Sequence, residues 1–311
     1  MFKLKKFIIL PALFIFVMVV ACSSPAETDS LETAFEMPIQ DRYGLDITVP
    51  EEMTRIISMA PSVTVTLIDL GLEDRIVAMD QNSAIMLGGE VDVPTFDMLN
   101  PEIESLIMLE PDFIFASTIS MMGDVANDPF APLRELGIGV AYIPSSESIE
   151  AIKEDIRFIA AVVSEVEVGE EIILEMEHEI EEIIDLIDDN PATLTVYFEI
   201  SPAPDMFSFG NGVFQHEVLE LIGAENIFAD VSGWLSVEAE SVVLANPEII
   251  FTNVNFIDDP VAEILSRPGW EDVSAVQNGR VFFIDNDDTS LPTHHIVRGM
   301  RVMAEYLHGV D

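Results

Sequence analysis

Side chains that can hold a small ligand stand where the predicted strands end or in the loops that follow them. They include an indole ring, hydroxyl and amide groups, a thioether and an imidazole. Because ligands of parallel α/β sheets bind beyond the carboxyl ends of the strands, we predict a binding surface made of these groups. The candidates are Pro61, Ser62, Met98 and Ser117 in the first half of the chain, and Phe209, Trp234, Asn253, Asn255 and His294 in the second half.

Some of these candidates have a second interpretation. Trp234 follows Gly233, and an aromatic ring in a glycine-bounded loop favours contact with a flat ligand or a partner over core packing. Met98 could instead fill the core. Phe207 and Phe209 alternate along one segment, so we expect one of them to face inward.

The five histidines do not predict a site for a naked transition-metal ion. Such a site requires three or four convergent ligands. His294 and His295 are adjacent, and adjacent residues of a helix do not point at the same ion. The other three stand apart along the chain: His178, His216 and His308. We therefore predict no metal centre and no resident cofactor, with His294 opposite Met98 as a hypothetical axial pair for haem.

Known catalytic motifs are missing from the sequence. It contains no Gly-x-Ser-x-Gly elbow, no phosphate-binding P-loop and no Gly-x-Gly-x-x-Gly after a predicted strand. Carboxylate pairs occur along the whole chain, so none of them marks an active site. We therefore predict a binding protein, with an enzyme of unknown reaction or a surface sensor as the alternatives.

Strands of the buried type alternate with helices on both sides of a long amphipathic segment. The first strand runs from Arg55 to Met59, and Ser62 is a plausible N-cap for the helix after it. This alternation predicts mainly parallel sheets covered by helices on both faces. The predicted fold class is α/β, with two Rossmann-like lobes over residues 41–164 and 191–311.

The segment between the lobes, residues 165–190, is predicted to be one long rigid helix. Its acidic residues lie on one face and its apolar residues, three or four positions apart, lie on the other. The apolar set is Val168, Ile172, Met176, Ile180, Ile183, Ile184 and Ile187. Asn190-Pro191 ends the pattern, because the residue before proline disfavours helical geometry. We interpret this helix as a bridge, and the alternative is one more surface helix of a single domain.

One sequence pattern occurs in corresponding places of the two lobes. Glu104 stands seven residues before Pro111-Asp-Phe-Ile-Phe, and Glu240 stands seven residues before Pro247-Glu-Ile-Ile-Phe. The shared spacing and order favour an internal duplication over chance similarity. Two matched carboxylates suit a partner with two equivalent halves, because arginine–carboxylate pairs fix orientation. Glu104 and Glu240 could also be two more acidic residues of a very acidic surface.

The N-terminus has the pattern of an export signal. Lysines precede an apolar run, and small residues then lead to Cys22, the only cysteine. The pattern resembles a bacterial lipoprotein signal, which implies that residues 1–21 are removed and that Cys22 carries lipid. Residues 22–40 are predicted to be an acidic flexible tether. We therefore expect an extracytoplasmic protein that is lipid-anchored to the outer face of the cytoplasmic membrane, with an uncleaved anchor as the alternative.

Acidic residues dominate the charge of the chain. There are 57 of them against 13 basic residues, and the formal net charge at pH 7 is −44. Such a surface repels phosphate backbones and anionic headgroups, which excludes nucleic-acid binding. Because the charge is spread along the whole chain, it is typical of a solvated surface and not of a binding tail. A saline exterior and an alkaline exterior would both favour it.

Several motifs, taken in order, carry a resemblance to a known family. They are Arg55-Ile-Ile-Ser-Met-Ala-Pro-Ser62, Asn100-Pro-Glu-Ile-Glu104, Gly223-Ala-Glu-Asn-Ile-Phe-Ala-Asp230, Gly233-Trp234 and Gln277-Asn-Gly-Arg-Val281. Together they resemble the substrate-binding lipoproteins of ABC importers for ferric siderophores, haem and cobalamin. The resemblance covers residues 41–308, nearly the whole mature chain.

The resemblance implies a function and a set of partners. It implies two lobes with little hinge movement, and a metal chelate (ferric siderophore, haem or cobalamin) held in the cleft between them. It also implies that Glu104 and Glu240 dock onto an ABC permease that works with its ATPase. We expect the protein to act as a monomer. An arginine that the family often has near Leu291-Pro-Thr293 is absent here, which disfavours a strongly anionic chelate.

Overall fold

Two parallel sheets organise the part of the chain that the structure describes. The structure is a computed structural model, and it describes residues 37–187 and 193–309. The signal, Cys22, most of the tether and the predicted helix end at Asn190-Pro191 lie outside the described residues. Within the described ranges, no helix has both the length and the apolar character needed to cross a membrane.

The first lobe contains a five-stranded sheet. Its strands are β1 (Ile56–Met59), β2 (Ile76–Asp80), β3 (Thr95–Phe96), β4 (Phe113–Ser117) and β5 (Gly139–Ile143). The strands are all parallel and lie in the order β3-β2-β1-β4-β5. The helices that accompany them are α1 (Pro61–Asp69), α2 (Gln81–Met86), α3 (Ile103–Met108), α4 (Ala131–Glu135) and α5 (Ile149–Val162).

The second lobe follows a long helix, α6 (Val166–Asp185). Its strands are β6 (Leu194–Glu199), β7 (Phe207–Phe209), β8 (Ala224–Asn226), β9 (Trp234–Ser236), β10 (Ile249–Thr252) and β11 (Val281–Phe283). Four of them form a parallel sheet in the order β11-β10-β6-β8, and β7 pairs with β9 in a separate two-stranded antiparallel sheet. The helices of this lobe are α7 (Phe214–Leu221), α8 (Ala239–Ala245), α9 (Pro260–Leu265), α10 (Ser274–Gln277), α11 (Asp287–Ser290) and α12 (Ile296–His308).

The central strands are buried along their whole length. Every residue of β1, β4, β5 and β10 is buried. Parallel strands covered by helices on both faces require continuous apolar runs, and these segments supply them. The α/β fold with mainly parallel sheets, predicted from the alternation of strands and helices, is therefore confirmed.

The two sheets repeat the same arrangement. The order β2-β1-β4-β5 of the first lobe corresponds to β8-β6-β10-β11 of the second. The acidic residue of each repeated motif fastens the neighbouring strand. The Asp112 carboxylate accepts hydrogen bonds from the backbone N–H groups of Thr54 (2.7 Å) and Arg55 (2.8 Å), and Glu248 accepts one from the N–H of Thr195 (3.1 Å). The repeated sequence pattern thus has a repeated structural role.

Helix α6 leads from the first lobe to the second, and both α5 and α6 pack against the two apolar cores. Helix α6 contains 20 residues, about 30 Å at the helical rise of 1.5 Å per residue, and is shorter than the predicted segment 165–190. Ile172 of α6 packs against the apolar cores of both lobes. Helix α5 also enters both cores, because Ile152 packs in the core of the second lobe and Ile159 in that of the first. Shared apolar packing of this kind resists hinge motion between the lobes.

Candidate functional site

Five exposed apolar side chains lie in segments that follow strands of the two parallel sheets. Ile119 and Met122 follow β4 and are 54% and 78% exposed, and Phe256 follows β10 and is 67% exposed. The antiparallel pair of β7, which follows β6, and β9, which follows β8, adds Phe207 and Trp234. We call these five residues the strand-end surface. Exposed apolar side chains at the ligand-binding ends of α/β sheets are candidates for contact with a ligand or a partner.

The pairing of β7 with β9 determines which aromatic rings are exposed. Phe209 lies directly opposite Trp234, and their rings are 6.0 Å apart in an edge-to-face arrangement. Phe209 also packs on Phe198, with ring centroids 5.3 Å apart, and has no exposed surface. The prediction that Phe209 contacts the ligand is therefore corrected. Phe207 and Trp234, which are 39% and 51% exposed, are the rings that a ligand can reach.

Two polar candidates are used inside the protein. The Ser117 hydroxyl accepts a hydrogen bond from the N–H of Ile119 at 3.2 Å and caps the turn after β4. The Asn253 side chain is buried and donates to the hydroxyls of Thr289 (2.9 Å) and Ser290 (3.0 Å). These two residues shape the loops and offer little surface to a ligand. Asn255, two positions further on, is exposed.

The remaining candidates of the first lobe lie at or near strand ends. Pro61 and Ser62 form the first turn of α1, directly beyond β1, and both are half-buried. Ala60 occupies the N-cap position, so the prediction of Ser62 as N-cap was wrong; proline suits the first helical position, where no N–H is needed. Met98 is half-buried against the core, and its sulfur accepts a weak hydrogen bond from Asn82 at 3.6 Å.

The segments that carry the strand-end surface, residues 118–130, 200–213, 227–238 and 253–259, contain no lysine or arginine. Nine of the ten basic residues beyond the signal contact carboxylates or backbone carbonyls elsewhere: Arg42, Arg55, Arg75, Arg134, Lys153, Arg157, Arg267, Arg280 and Arg301. The tenth, Arg298, lies in α12. Nine of these cations are therefore already paired with carboxylates or carbonyls, and Arg298 borders a cavity beside α6.

A polar contact joins the two strand-end edges. The backbone N–H of Ile149, the first residue of α5 beyond β5, donates to the Glu217 carboxylate of α7 at 2.8 Å. Glu217 thereby satisfies an N–H at the start of a helix, where a negative charge is favourable. This contact ties the second lobe to the end of the first lobe's sheet.

A second contact between the lobes involves the paired histidines. The Nε2 atoms of His294 and His295 lie 3.2 and 3.1 Å from the same carboxylate oxygen of Asp69, at the end of α1. Burial raises the pKa of Asp69, but hydrogen bonds with both imidazoles outweigh burial and hold that pKa well below its usual range. Both histidines precede the first residue of α12, so the argument from helical geometry against their convergence does not apply. Sequence reasoning missed Asp69 altogether.

The candidate docking residues have matching surroundings. Glu104 and Glu240 lie in the first turns of α3 and α8, and both are exposed. Four residues after each of them stands an apolar side chain, Met108 or Leu244, which is 79% or 88% exposed. Residues four apart share one face of a helix, so each lobe presents a carboxylate beside an apolar group. The i, i+4 spacing within the repeated motif was the signal that could have identified Met108 and Leu244.

Comparisons with known proteins assign the family. The family described as "Periplasmic binding protein" matches residues 56–287. The chain is 26% identical over 299 residues to the uncharacterized ABC transporter substrate-binding lipoprotein YvrC of Bacillus subtilis. This match covers 94% of this chain and 93% of that protein. It is also 26% identical over 267 residues to the vitamin B12-binding protein of Vibrio cholerae serotype O1, across 83% of this chain and 90% of that protein.

A solved structure supports the same assignment. It is described as a possible iron-binding (periplasmic solute-binding) protein from Staphylococcus epidermidis, and it superposes with a TM-score of 0.72 at 28% identity. The match covers 83% of this chain and 100% of that one. These relatives are transport proteins and not enzymes. The chain therefore belongs to the periplasmic binding protein family and is an extracytoplasmic substrate-binding protein of an ABC importer.

Proposed function

We propose that this protein captures a cobalamin-type corrinoid on the strand-end surface and delivers it to an ABC permease. The observation that carries the proposal is the composition of that surface. It combines two exposed aromatic rings of the paired strands β7 and β9, Phe207 and Trp234, with aliphatic side chains of the other lobe and no basic residue.

The charge of the ligand follows from this composition. A small oxyanion or a polycarboxylate chelate needs cationic partners or convergent N–H donors in the site. The side chains that could supply such charge, Arg134 and Arg267 among them, are bound to carboxylates. A ligand without net negative charge avoids repulsion from the acidic protein. Cobalamin meets this requirement better than haem, which carries two carboxylates.

The shape of the ligand follows from the aromatic rings. A broad, rigid ring system can cover Trp234 and Phe207 on one side and Ile119 and Met122 on the other, which removes a large apolar area from water. Haem could do the same, but its iron also requires an axial ligand. His294 is engaged with Asp69, which leaves the proposed haem pair with Met98 without support. The vitamin B12-binding relative from Vibrio cholerae agrees with the corrinoid choice.

Delivery requires a partner that recognises both lobes. We propose that Glu104 with Met108, and Glu240 with Leu244, meet the two halves of the permease. Each carboxylate would pair with an arginine of one permease half, and each exposed apolar side chain would be buried beside that pair. We further propose that lipid on Cys22 keeps the protein, as a monomer, at the outer face of the membrane, where it docks onto the permease that works with an ATPase.

A fluorescence titration tests the ligand assignment. The chain has two tryptophans, of which Trp234 is 51% exposed and Trp270 is 1% exposed. We expect cyanocobalamin to quench Trp234 emission saturably in the full chain solubilised in detergent, after correction for absorbance by the ligand. Haem and a neutral ferric hydroxamate serve as competing ligands.

The matched control is Tyr306→Ala. Tyr306 of α12 is 41% exposed and stacks on Phe282 of β11, away from the strand-end surface. Equilibrium dialysis should show weaker cobalamin binding in Trp234→Ala and unchanged binding in Tyr306→Ala. Saturable binding of haem or the hydroxamate with no binding of cobalamin would overturn the corrinoid assignment and leave the transport role in place.

A further inference from the structure

The contact between Asp69 and the two histidines has the chemistry of a metal site. It offers one carboxylate oxygen and two imidazole nitrogens, and these ligand atoms all lie within 4.8 Å of one another. Zinc and similar divalent transition metals favour imidazole and carboxylate ligands of this kind. The three residues come from both lobes, Asp69 from the end of α1 and the histidines from the start of α12.

Two of the three spacings between the ligand atoms match those of a tetrahedral ion. With metal–ligand distances of about 2.05 Å, neighbouring ligand atoms of a tetrahedron are roughly 3.3 Å apart. The two Nε2–Oδ2 distances are 3.2 and 3.1 Å, so an ion could replace the shared hydrogen bonds with small movements. The chain already brings the groups together, because the hydroxyl of Thr293 accepts a hydrogen bond from the N–H of His295 and fixes the turn before α12.

A cavity beside the cluster has room for a further ligand. Its volume is about 290 Å³, and it lies between α1, α6 and α12. Glu175 and Glu179 of α6 border it together with the cluster, and Arg298 of α12 borders it as well. The two glutamates outnumber the arginine, so the local charge favours a cation. A water molecule or one of the glutamates could complete the coordination shell.

We propose that Asp69, His294 and His295 form a zinc-class metal site that fastens the first lobe to the second beside α6. The site is structural, and it is separate from the strand-end surface that receives the transported ligand. Bound metal would add a crosslink between lobes that already share the apolar packing of α5 and α6, and would further restrict their relative movement. This assignment replaces the prediction that the sequence holds no metal centre.

Zinc binding to the full chain in detergent tests the proposal. The protein is stripped with a chelator and titrated with zinc against a chromophoric competitor, in molar salt with excess magnesium and calcium. Magnesium and calcium prefer oxygen ligands and occupy the carboxylates of the acidic surface, and the salt screens the charge of that surface. We expect one tight site per chain, with affinity reduced at least about tenfold in each of Asp69→Asn, His294→Gln and His295→Gln.

His178→Gln is the matched control. His178 is a histidine of α6 beside a carboxylate, like the proposed ligands, but its side chain is 71% exposed. Its substitution should leave zinc affinity unchanged. Cobalt in place of zinc should give intense visible absorption of the tetrahedral type in the wild-type protein and in His178→Gln, and none in the three ligand variants.

Two results would overturn the proposal. One is zinc affinity that is equal in the wild-type protein and in all three ligand variants, and the other is the lack of any site tighter than those of the acidic surface. Circular dichroism checks that each variant is folded. If Asp69→Asn does not fold, the two histidine variants decide the outcome, because His294 and His295 are only partly buried. Neither result affects the cobalamin titration.

Discussion

The two lobes share one framework but present different surfaces. Their strand orders correspond, and the helices before β4 and β10 carry the same pair of exposed groups, a carboxylate and an apolar side chain. Beyond the strand ends the lobes differ, because the first exposes aliphatic Ile119 and Met122 and the second exposes aromatic Phe207, Trp234 and Phe256. Features that both lobes retain suit a partner with two similar halves, and features that differ suit an asymmetric ligand.

A second difference lies in the cores. At the end of β1 the first lobe has Met59, which is fully buried, and at the corresponding end of β6 the second lobe has Glu199. Glu199 accepts hydrogen bonds from Arg267 at 2.7 and 3.0 Å, and Arg267 also lies 4.3 Å from the Trp270 ring. Burial raises the pKa of Glu199, and the hydrogen bonds from Arg267 oppose that rise. The same position of the framework, at the end of the first strand of each lobe, therefore holds a methionine in one lobe and a buried ion pair in the other.

The largest expected effect concerns this ion pair. Arg267→Met leaves the buried Glu199 carboxylate without its cationic partner, although the Tyr197 hydroxyl still donates to it at 3.3 Å, and we expect the substitution to lower the free energy of unfolding by about 3–5 kcal/mol. Urea denaturation followed by circular dichroism measures the loss. Replacing both Glu199 and Arg267 with methionine, by analogy with Met59 at the end of β1, should recover most of the stability. A double variant as unstable as Arg267→Met would contradict the equivalence of the two cores.

The next effect concerns docking. Glu104→Arg combined with Glu240→Arg should reduce uptake through the permease by roughly 30-fold, because like charges at an interface cost several kcal/mol. Ligand binding in solution should not change. The matched control reverses two other exposed glutamates, Glu135 and Glu225, and should leave uptake intact. Equal loss of uptake in both double variants would point to the net charge and not to these sites.

A smaller effect distinguishes the contributions of the two lobes to the strand-end surface. Trp234→Ala should weaken cobalamin binding by about tenfold, because truncating an aromatic anchor costs over 1 kcal/mol. Ile119→Ala, in the other lobe, should weaken it less, because it removes a smaller apolar area. Equilibrium dialysis with both variants measures the ratio. A larger loss for Ile119→Ala would reverse the assignment of the aromatic lobe as the main contact.

The smallest effect compares the two strand-fastening carboxylates. Burial raises the pKa of Asp112, but backbone hydrogen bonds from Thr54 and Arg55 outweigh it, so the pKa is lower than in the unfolded chain. The stabilisation is therefore present above about pH 4, the ordinary value, and is lost as the pH falls through the folded-state pKa. We expect Asp112→Ala to cost about 1 kcal/mol near neutral pH, and less in acid.

Glu248→Ala should cost less than Asp112→Ala, because Glu248 accepts one backbone N–H and not two. Urea denaturation at several pH values gives both numbers. If Asp112→Ala lowers the free energy of unfolding as much in acid as near neutral pH, the charge of the carboxylate does not contribute to stability.

Local sequence determined most of the framework. Apolar runs bounded by proline and glycine located β1, β2, β4, β5 and β10, because a strand buried on both faces needs such a run wherever it occurs. The repeated spacing from Glu104 to Pro111 and from Glu240 to Pro247 located the two outward-facing helices, because duplicated chains fold alike. The family resemblance rested on the same segments and was confirmed.

Only the tertiary structure decided which side chains are available. Phe207 and Phe209 are both phenylalanines of β7, yet packing on Phe198 buries Phe209, whereas Phe207 stays exposed. Asp69 and the two histidines are more than 220 positions apart in the chain, so no local pattern could have joined them. Composition and spacing specify secondary structure because those preferences are local, whereas exposure and convergence depend on how distant elements pack.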